Sequence, residues 1–211
     1  MRFQSRKEAG KELGEALSKY RAAPRTIVLG LARGGVAVAY EVAKYLHLPL
    51  DCLAPRKIGA PGNPEFALGA SLGDAVFLDE ESIQSLHLSK EEIEPILAKE
   101  KKEAKRRLDL FRKGRETQNF KGYTVIVVDD GIATGATMKV SILFLKKGGA
   151  QKMIVAVPVA PKETIEELKK MADEVVCLFT PEPFMAVGQF YDLFPQVEDE
   201  EVTALLRESH G

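Results

Sequence analysis

The stretch from Val125 to Thr137, which reads VIVVDDGIATGAT, decides the fold. Its first residues are apolar and β-branched, which is typical of a strand buried on both faces of a sheet. A short loop of small residues follows, and then Val140, Leu143 and Phe144 recur at helical spacing. A second apolar run, Lys152 to Val159, completes the unit. Strand, loop, helix and strand in this order predict a βαβ unit whose loop lies at the carboxyl edge of a parallel sheet, where such folds bind ligands.

The loop itself is suited to one phosphate group. Its residues Thr134, Gly135, Ala136 and Thr137 carry little bulk, so their backbone N–H groups can approach an oxyanion closely. The helix that begins there also directs unpaired N–H groups and the positive end of its dipole at the loop. The two threonine hydroxyls add further donors. We therefore expect a phosphate cradle at these residues.

Two adjacent carboxylates, Asp129 and Asp130, stand between the strand and this loop. They would repel a phosphate, but they suit vicinal hydroxyls or a Mg²⁺ ion that is shared with the ligand, either directly or through water. A phosphate on one side and a diol on the other describe a ribose 5-phosphate. The alternative interpretation is a strand–turn–helix corner with two solvated aspartates.

The sequence from Val125 to Thr137 resembles the binding motif of the type I phosphoribosyltransferases, an apolar strand, two acidic residues and a Thr-Gly-x-Thr loop. The resemblance implies Mg²⁺ as a cofactor and transfer of a 5-phosphoribosyl group from phosphoribosyl diphosphate to a nitrogenous acceptor such as a nucleobase. In that family the loop holds the 5-phosphate and the acids hold the ribose hydroxyls. Enzymes for 6-oxo purines have an aspartate just before Thr-Gly, whereas this chain has Ala133, as adenine-type enzymes do.

A second βαβ unit precedes this one, from a strand beginning at Thr26 to another ending at Ala54. Its tight loop contains Arg33, Gly34 and Gly35, which could hold a second anion through backbone N–H groups and a guanidinium fork. The loop fits neither a Walker A motif nor a dinucleotide fingerprint, and alone it would be read as an ordinary glycine turn. The resemblance implies that it is the diphosphate loop, with a non-proline cis peptide near Ala32–Arg33.

Two further candidates lie between these units. Lys57, in the Arg-Lys pair that ends the second strand, resembles the diphosphate lysine of adenine and orotate enzymes; alternatively it is a solvated strand-end charge. The segment Gly59 to Pro64 is expected to be a loop that opens a mobile flap. Glu65 follows it and is the candidate general acid or base, because Ala133 cannot serve.

The pentapeptide from Gly69 to Gly73 matches the G-x-S-x-G pattern of serine hydrolases. That motif needs a buried strand before the serine and a helix after it. Here loop residues precede it, and the alternating stretch from Asp74 to Asp79 predicts a hairpin. A hydrolase is therefore disfavoured.

Composition excludes several classes of protein. The 211 residues are 45% hydrophobic and 29% charged with a net charge of -1, which predicts one globular domain and no basic field for nucleic acid. Two distant cysteines, Cys52 and Cys177, fit a reducing cytoplasm and exclude a cysteine-built metal site. No apolar run reaches membrane-spanning length, and residues 1–6 do not read as a signal peptide.

The predicted fold is therefore α/β, a mainly parallel central sheet with helices on both faces. We expect a single domain over 1–211, with a flap and helical insertion at about 59–120 and hood elements at about 180–211. In the hood Phe184, Val187 and Tyr191 could stack on a base or belong to the core.

Two functions remain open at this point. The first is a phosphoribosyltransferase, an enzyme class in which homodimers are common. The second is a regulator that keeps the phosphoribosyl site and has lost the transfer reaction. A phosphoribosyl diphosphate synthase is disfavoured, because no adenine-nucleotide motif is visible.

Overall fold

The computed structural model describes residues 2–112 and 119–209, without the side chains of Glu65 and Arg112. The strands in chain order are β1 (Thr26–Leu31), β2 (Leu50–Leu53), β3 (Arg56–Ala60), β4 (Asn63–Leu72), β5 (Ala75–Leu78), β6 (Thr124–Val128), β7 (Lys152–Val159) and β8 (Glu174–Phe179). The α-helices are α1 (Arg6–Ala16), α2 (Gly34–Leu46), α3 (Glu80–Ser85), α4 (Lys90–Arg112), α5 (Ala136–Lys147), α6 (Lys162–Lys169) and α7 (Asp199–Glu208).

The central sheet has five strands in the order β2-β1-β6-β7-β8, and every neighbouring pair is parallel. β1 and β6 are adjacent, so the loops that follow them meet at one carboxyl edge of the sheet. This is the point where the strand order reverses, and ligands of open α/β sheets bind there. A second, antiparallel sheet has the order β3-β4-β5.

Consecutive residues of the central strands face opposite sides of the sheet, and helices cover both sides. Val28 and Ile126 belong to a core with α1, α2 and α7, whereas Leu29 and Val127 belong to a core with α5 and α6. All four side chains are fully buried, and burial of each contributes roughly 1.5–3 kcal/mol. The predicted fold class, a mainly parallel α/β sheet with helices on both faces, is confirmed.

The prediction of a loop over 59–64 was wrong. β3 continues to Ala60, β4 begins at Asn63, and these two residues are paired across a turn at Pro61 and Gly62. Local Gly and Pro content favoured a loop, but pairing with β4 determines the conformation. For the same reason Lys57 belongs to β3 of the hairpin and not to the end of β2.

The G-x-S-x-G match has no nucleophile elbow. Ser71 lies inside the antiparallel strand β4, is fully buried and pairs with Arg56 on one side and Val76 on the other. The structure therefore excludes the hydrolase interpretation, and the hairpin predicted after Gly73 is confirmed as β4–β5.

Helix α4 runs as one element through Pro95. In the part of the chain that the structure describes, every helix is too short or too polar to cross a membrane. The short helix α3 was not predicted from the sequence.

Candidate functional site

The loop after β6 ends at the first turn of α5, whose backbone N–H groups have no side-chain cap. Gly135 is the N-cap of α5 and has a φ of 76°, a left-handed conformation that glycine adopts without strain. Because this N-cap has no side chain, it cannot accept a hydrogen bond from the first N–H groups of α5. The loop is held in place by Thr164, whose hydroxyl donates to the carbonyl oxygen of Ala133 at 2.7 Å. A Cβ at Gly135 would lie 3.0 Å from the Thr164 Cγ2 atom.

This loop forms one wall of a cavity of about 790 Å³. Another wall comes from the β3–β4–β5 hairpins and α3, and further lining comes from Asp129 after β6, from α5 and α6, and from the C-terminal segment. The residues that line it are Lys57, Phe66, Ala67, Gly69, Phe77, Asp79, Glu81, Ser82, Asp129, Gly131, Ile132, Ala133, Thr134, Gly135, Ala136, Thr137, Lys139, Thr164, Glu167 and Val187. The structure thus brings Lys57, Asp129 and the predicted loop residues Ala133 to Thr137 to one cavity.

Asp129 is the acid of the pair that lines the cavity. Its Oδ1 atom accepts a hydrogen bond from the backbone N–H of Asp130 at 2.9 Å. Burial raises the pKa of Asp129 well above its ordinary value, and the neighbouring charge of Asp130 raises it further. A cation or hydroxyl donors placed in the cavity would therefore favour the ionised carboxylate.

Asp130 is held by protein groups. Its Oδ2 atom lies 2.8 Å from Nε of Arg6, a residue of α1, and the two side chains are only 14% and 10% exposed. Its backbone carbonyl accepts a hydrogen bond from the Tyr191 hydroxyl at 2.6 Å. Burial raises the pKa of Asp130, and the Arg6 guanidinium opposes that shift. Asp130 is not among the residues that line the cavity.

The predicted diphosphate loop, Arg33 to Gly35, follows β1 and lies against the two acids. The cis peptide bond expected from the resemblance is present between Ala32 and Arg33. The Arg33 side chain does not line the cavity; its Nη1 atom donates to Glu198 at 3.1 Å and lies 3.8 Å from Asp199. These two carboxylates at the start of α7 direct the guanidinium to the helix, so in this conformation Arg33 does not make the predicted grip on an anion in the cavity.

Three other predictions have different outcomes. Glu65 lies on β4, but its side chain lies outside the described part of the structure, so its role stays a prediction. Tyr191 is 2% exposed and Phe184 packs on Phe190 with ring centroids 5.2 Å apart, so both belong to the core of the C-terminal segment. Val187 is the hood residue that lines the cavity.

Sequence reasoning missed Lys139 and Arg6. Lys139 lines the cavity with its Nζ atom 2.5 Å from Glu167 and 5.1 Å from the centre of the Phe77 ring. Its spacing of four residues from Gly135, one helical turn, is the signal that could have indicated it. Arg6 is 124 positions from Asp130, and no local pattern indicates that contact.

Comparisons with known proteins identify the family of the chain. The family model of the phosphoribosyl transferase domain matches residues 3–192. A Mycobacterium tuberculosis H37Rv protein named "Putative phosphoribosyl transferase Rv0571c" is 43% identical over 209 residues, which is 99% of this chain and 47% of the relative. The chain thus spans about half the length of the curated relatives it matches.

Solved structures share the fold of this chain. The crystal structure of TT1426 from Thermus thermophilus has a TM-score of 0.82 and 42% identity, with all of both chains covered. A hypoxanthine-guanine phosphoribosyltransferase from Bacillus anthracis has a TM-score of 0.50 at 13% identity, with 87% of this chain and 85% of that chain covered, and it shows the shared fold alone.

Proposed function

The chain belongs to the phosphoribosyl transferase domain family, and from that premise we propose that it catalyses a Mg²⁺-dependent phosphoribosyl transfer. The group transferred is the 5-phosphoribosyl group of phosphoribosyl diphosphate. The acceptor is a nitrogen atom of a nucleobase, and diphosphate is released. Family membership supports the reaction class, whereas the acceptor and the metal are part of the proposal.

The observation that carries the proposal is that backbone N–H donors and a carboxylate line the same cavity. The amide-rich loop from Thr134 to Thr137 lines one part of it, and the carboxylate of Asp129 lines another. A phosphate bound by the loop would place its anionic end on N–H donors and on the positive end of α5. The ribose hydroxyls could then donate to Asp129. A simple anion would use the loop and make no favourable contact with the Asp129 carboxylate.

The remaining lining supports the other parts of the ligand. Lys57 lies on the hairpin wall and is the cation proposed to balance charge on the leaving diphosphate. Phe66, Phe77 and Val187 provide apolar surface against which a planar base could pack. Because the cavity accommodates about 790 Å³, it has room for a sugar, phosphates and a base together.

The donor set fits Mg²⁺ only when the ligand supplies most of the oxygen atoms. Among the residues that the structure describes, no group of three acidic, histidine or cysteine side chains could hold an ion by itself. Mg²⁺ typically binds one or two carboxylates together with substrate phosphates. Asp129 would hold the ion together with diphosphate and ribose oxygens, and the ion would supply positive charge for the leaving group.

The protein's own work in such a transfer is to bind, orient and exclude water. Cleavage at C1 of the ribose passes through an oxocarbenium-like state, as in glycoside hydrolysis. The loop fixes the 5-phosphate and Asp129 fixes the ring hydroxyls, so C1 is held toward the acceptor. The hairpin wall that carries Phe66 and Phe77 would limit access of water to that cation.

A screen of nucleobases for diphosphate release tests the proposal. The protein is incubated with phosphoribosyl diphosphate and Mg²⁺, each base is added separately, and released diphosphate is measured. We expect release with at least one base and none after removal of Mg²⁺ by a chelator. Tight binding of phosphoribosyl diphosphate by titration calorimetry without release for any base would favour the regulator, and absence of binding would contradict both functions.

A further inference from the structure

The guanidinium of Arg6 is held by three groups at once. Its Nε atom lies 2.8 Å from Oδ2 of Asp130, its Nη1 atom donates to the carbonyl oxygen of Pro195 at 2.7 Å, and its Cζ atom lies 3.8 Å from the centre of the Phe194 ring. With only 10% of the side chain exposed, the group has little freedom to move. Arg6 therefore joins the N-terminal helix, the second acid of the motif and the C-terminal segment.

The Asp130 carboxylate is enclosed on other sides as well. A Cβ atom at Gly34 would overlap with its Oδ2 atom, so only glycine allows the loop after β1 to pass so close. The carbonyl group of the same residue is bound by Tyr191 at 2.6 Å. Asp130 thus has protein partners on its side chain and on its backbone, whereas Asp129 lines the cavity.

We propose that Arg6 is a positioning residue: it holds Asp130 as a structural carboxylate, so that Asp129 is the one acid of the pair that binds the ligand. The inference rests on the proposed function for the identity of that ligand. Its physical reason is charge, because two ionised carboxylates beside a diphosphate would repel it, and Arg6 neutralises one of them. The ion pair is almost fully removed from water, so loss of one partner leaves an uncompensated charge.

Two double-mutant cycles test this inference. The first consists of Arg6→Met, Asp130→Asn and the double variant. The matched control cycle consists of Arg2→Met, Asp192→Asn and their double variant, because this Arg–Asp pair also begins in the N-terminal segment, with an arginine that contacts the C-terminal segment, but is 59% and 55% exposed. Each variant is unfolded by urea without ligand and titrated with phosphoribosyl diphosphate and Mg²⁺, together with Asp129→Asn.

We expect Asp129→Asn to lower the affinity about 100-fold and Asp130→Asn by less than about fivefold. Arg6→Met should lower it about tenfold, because the Asp130 carboxylate next to the cavity then loses its cation and repels the anion, and adding Asp130→Asn should restore it to within about threefold of wild type. A purely structural arginine would not show this recovery, because the double variant would stay as weak as Arg6→Met. An Asp130→Asn loss as large as that of Asp129→Asn, without recovery in the double variant, would overturn the inference.

The unfolding measurements separate this inference from the proposed function. If wild type does not bind phosphoribosyl diphosphate, the proposed function fails, and the cycles in urea decide whether Arg6 holds Asp130. A coupling of at least about tenfold in the unfolding constant for Arg6 and Asp130, against less than about threefold for Arg2 and Asp192, would support it. Equal coupling in the two cycles would overturn it.

Discussion

Glu174 at the amino edge of the central sheet and Asp129 at its carboxyl edge have pKa values shifted in opposite directions. At the amino edge, Glu174 at the start of β8 is bonded to Lys19 at 2.7 Å and accepts a hydrogen bond from Tyr20, with Lys152 at 3.6 Å. Burial raises the pKa of Glu174, but the hydrogen bonds from Lys19 and Tyr20 outweigh burial and leave the pKa below its ordinary value. At the carboxyl edge, burial and a like charge raise the pKa of Asp129.

This difference separates an acid that contributes to the stability of the fold from an acid that is available to bind a ligand. The acid at the amino edge has its partners within the protein, so it stabilises the ligand-free fold. At the carboxyl edge Arg6 pairs with Asp130, whereas Asp129 has no ion pair with any residue that the structure describes and is costly to ionise until a ligand or metal arrives. The predictions below test this contrast, and the largest expected effect comes first.

Asp129→Asn should have opposite effects on binding and on stability. Loss of the charged acceptor for ribose hydroxyls is expected to weaken phosphoribosyl diphosphate binding about 100-fold, which is about 2.7 kcal/mol and within the range of one charged hydrogen bond. The free energy of unfolding without ligand should rise at neutral pH, because burial disfavours the Asp129 carboxylate and raises its pKa, and a neutral amide avoids that cost. Calorimetry and urea unfolding measure the two effects, and a stability loss together with unchanged affinity would break the contrast.

Gly135→Ala should weaken binding about tenfold by disturbing the loop, with a stability loss of about 1–2 kcal/mol from the left-handed φ. Gly149→Ala is the matched control, because Gly149 follows the other end of α5 and has nearly the same φ, 77° against 76°. We expect the same stability loss in the control and no change in affinity. Equal loss of affinity in both variants would show that backbone strain alone is responsible.

The two acids should give the stability of the ligand-free protein opposite dependences on pH. Because the pKa of Asp129 is raised in the fold, stability is lost as the pH rises above the ordinary value of 3.8 and through the folded pKa. Because the pKa of Glu174 is lowered, its contribution is present above the ordinary value of 4.5 and is lost as the pH falls through the folded pKa. Urea unfolding over a pH series, with Asp129→Asn and Glu174→Gln, should remove each slope separately.

Glu174→Gln should have the smallest effect. The side chain is 22% exposed and Lys19 is 61% exposed, so solvent screens the pair and the loss of stability is expected to be about 1 kcal/mol. Affinity for phosphoribosyl diphosphate should stay within error of wild type in the same calorimetric titration. A tenfold change in affinity would show that the two edges are coupled.

Local sequence pattern predicted the parts of the molecule whose contacts are local. The run from Val125 to Val128 and the strand from Lys152 to Val159 were predicted from β-branched apolar residues, and the structure has both. The loop at Thr134 to Thr137 was predicted because its residues carry little bulk, so their backbone N–H groups are accessible to an anion. The structure places these residues on the wall of the cavity.

Pairings between distant residues could not be predicted. Arg6 and Asp130 are 124 positions apart, and Arg33 pairs with Glu198, which lies 165 positions later at the start of α7. The hairpin at 56–72 was missed because its Gly and Pro residues favour a loop locally, whereas cross-strand bonds to β4 determine it. Charge partners and sheet partners of this kind depend on topology, which local pattern does not contain.

The central claim is that the loop after β6 holds the phosphate of a phosphoribosyl ligand while Asp129 meets its hydroxyls. Amide NMR of the ¹⁵N-labelled protein, titrated with phosphoribosyl diphosphate and Mg²⁺, tests it most directly. The account predicts the largest shifts at the backbone amides of 129–138 and no significant shift at Tyr20, Gly149 or Glu174. Saturable binding that leaves the amides of Thr134 to Thr137 unmoved, or no binding at all, would contradict it.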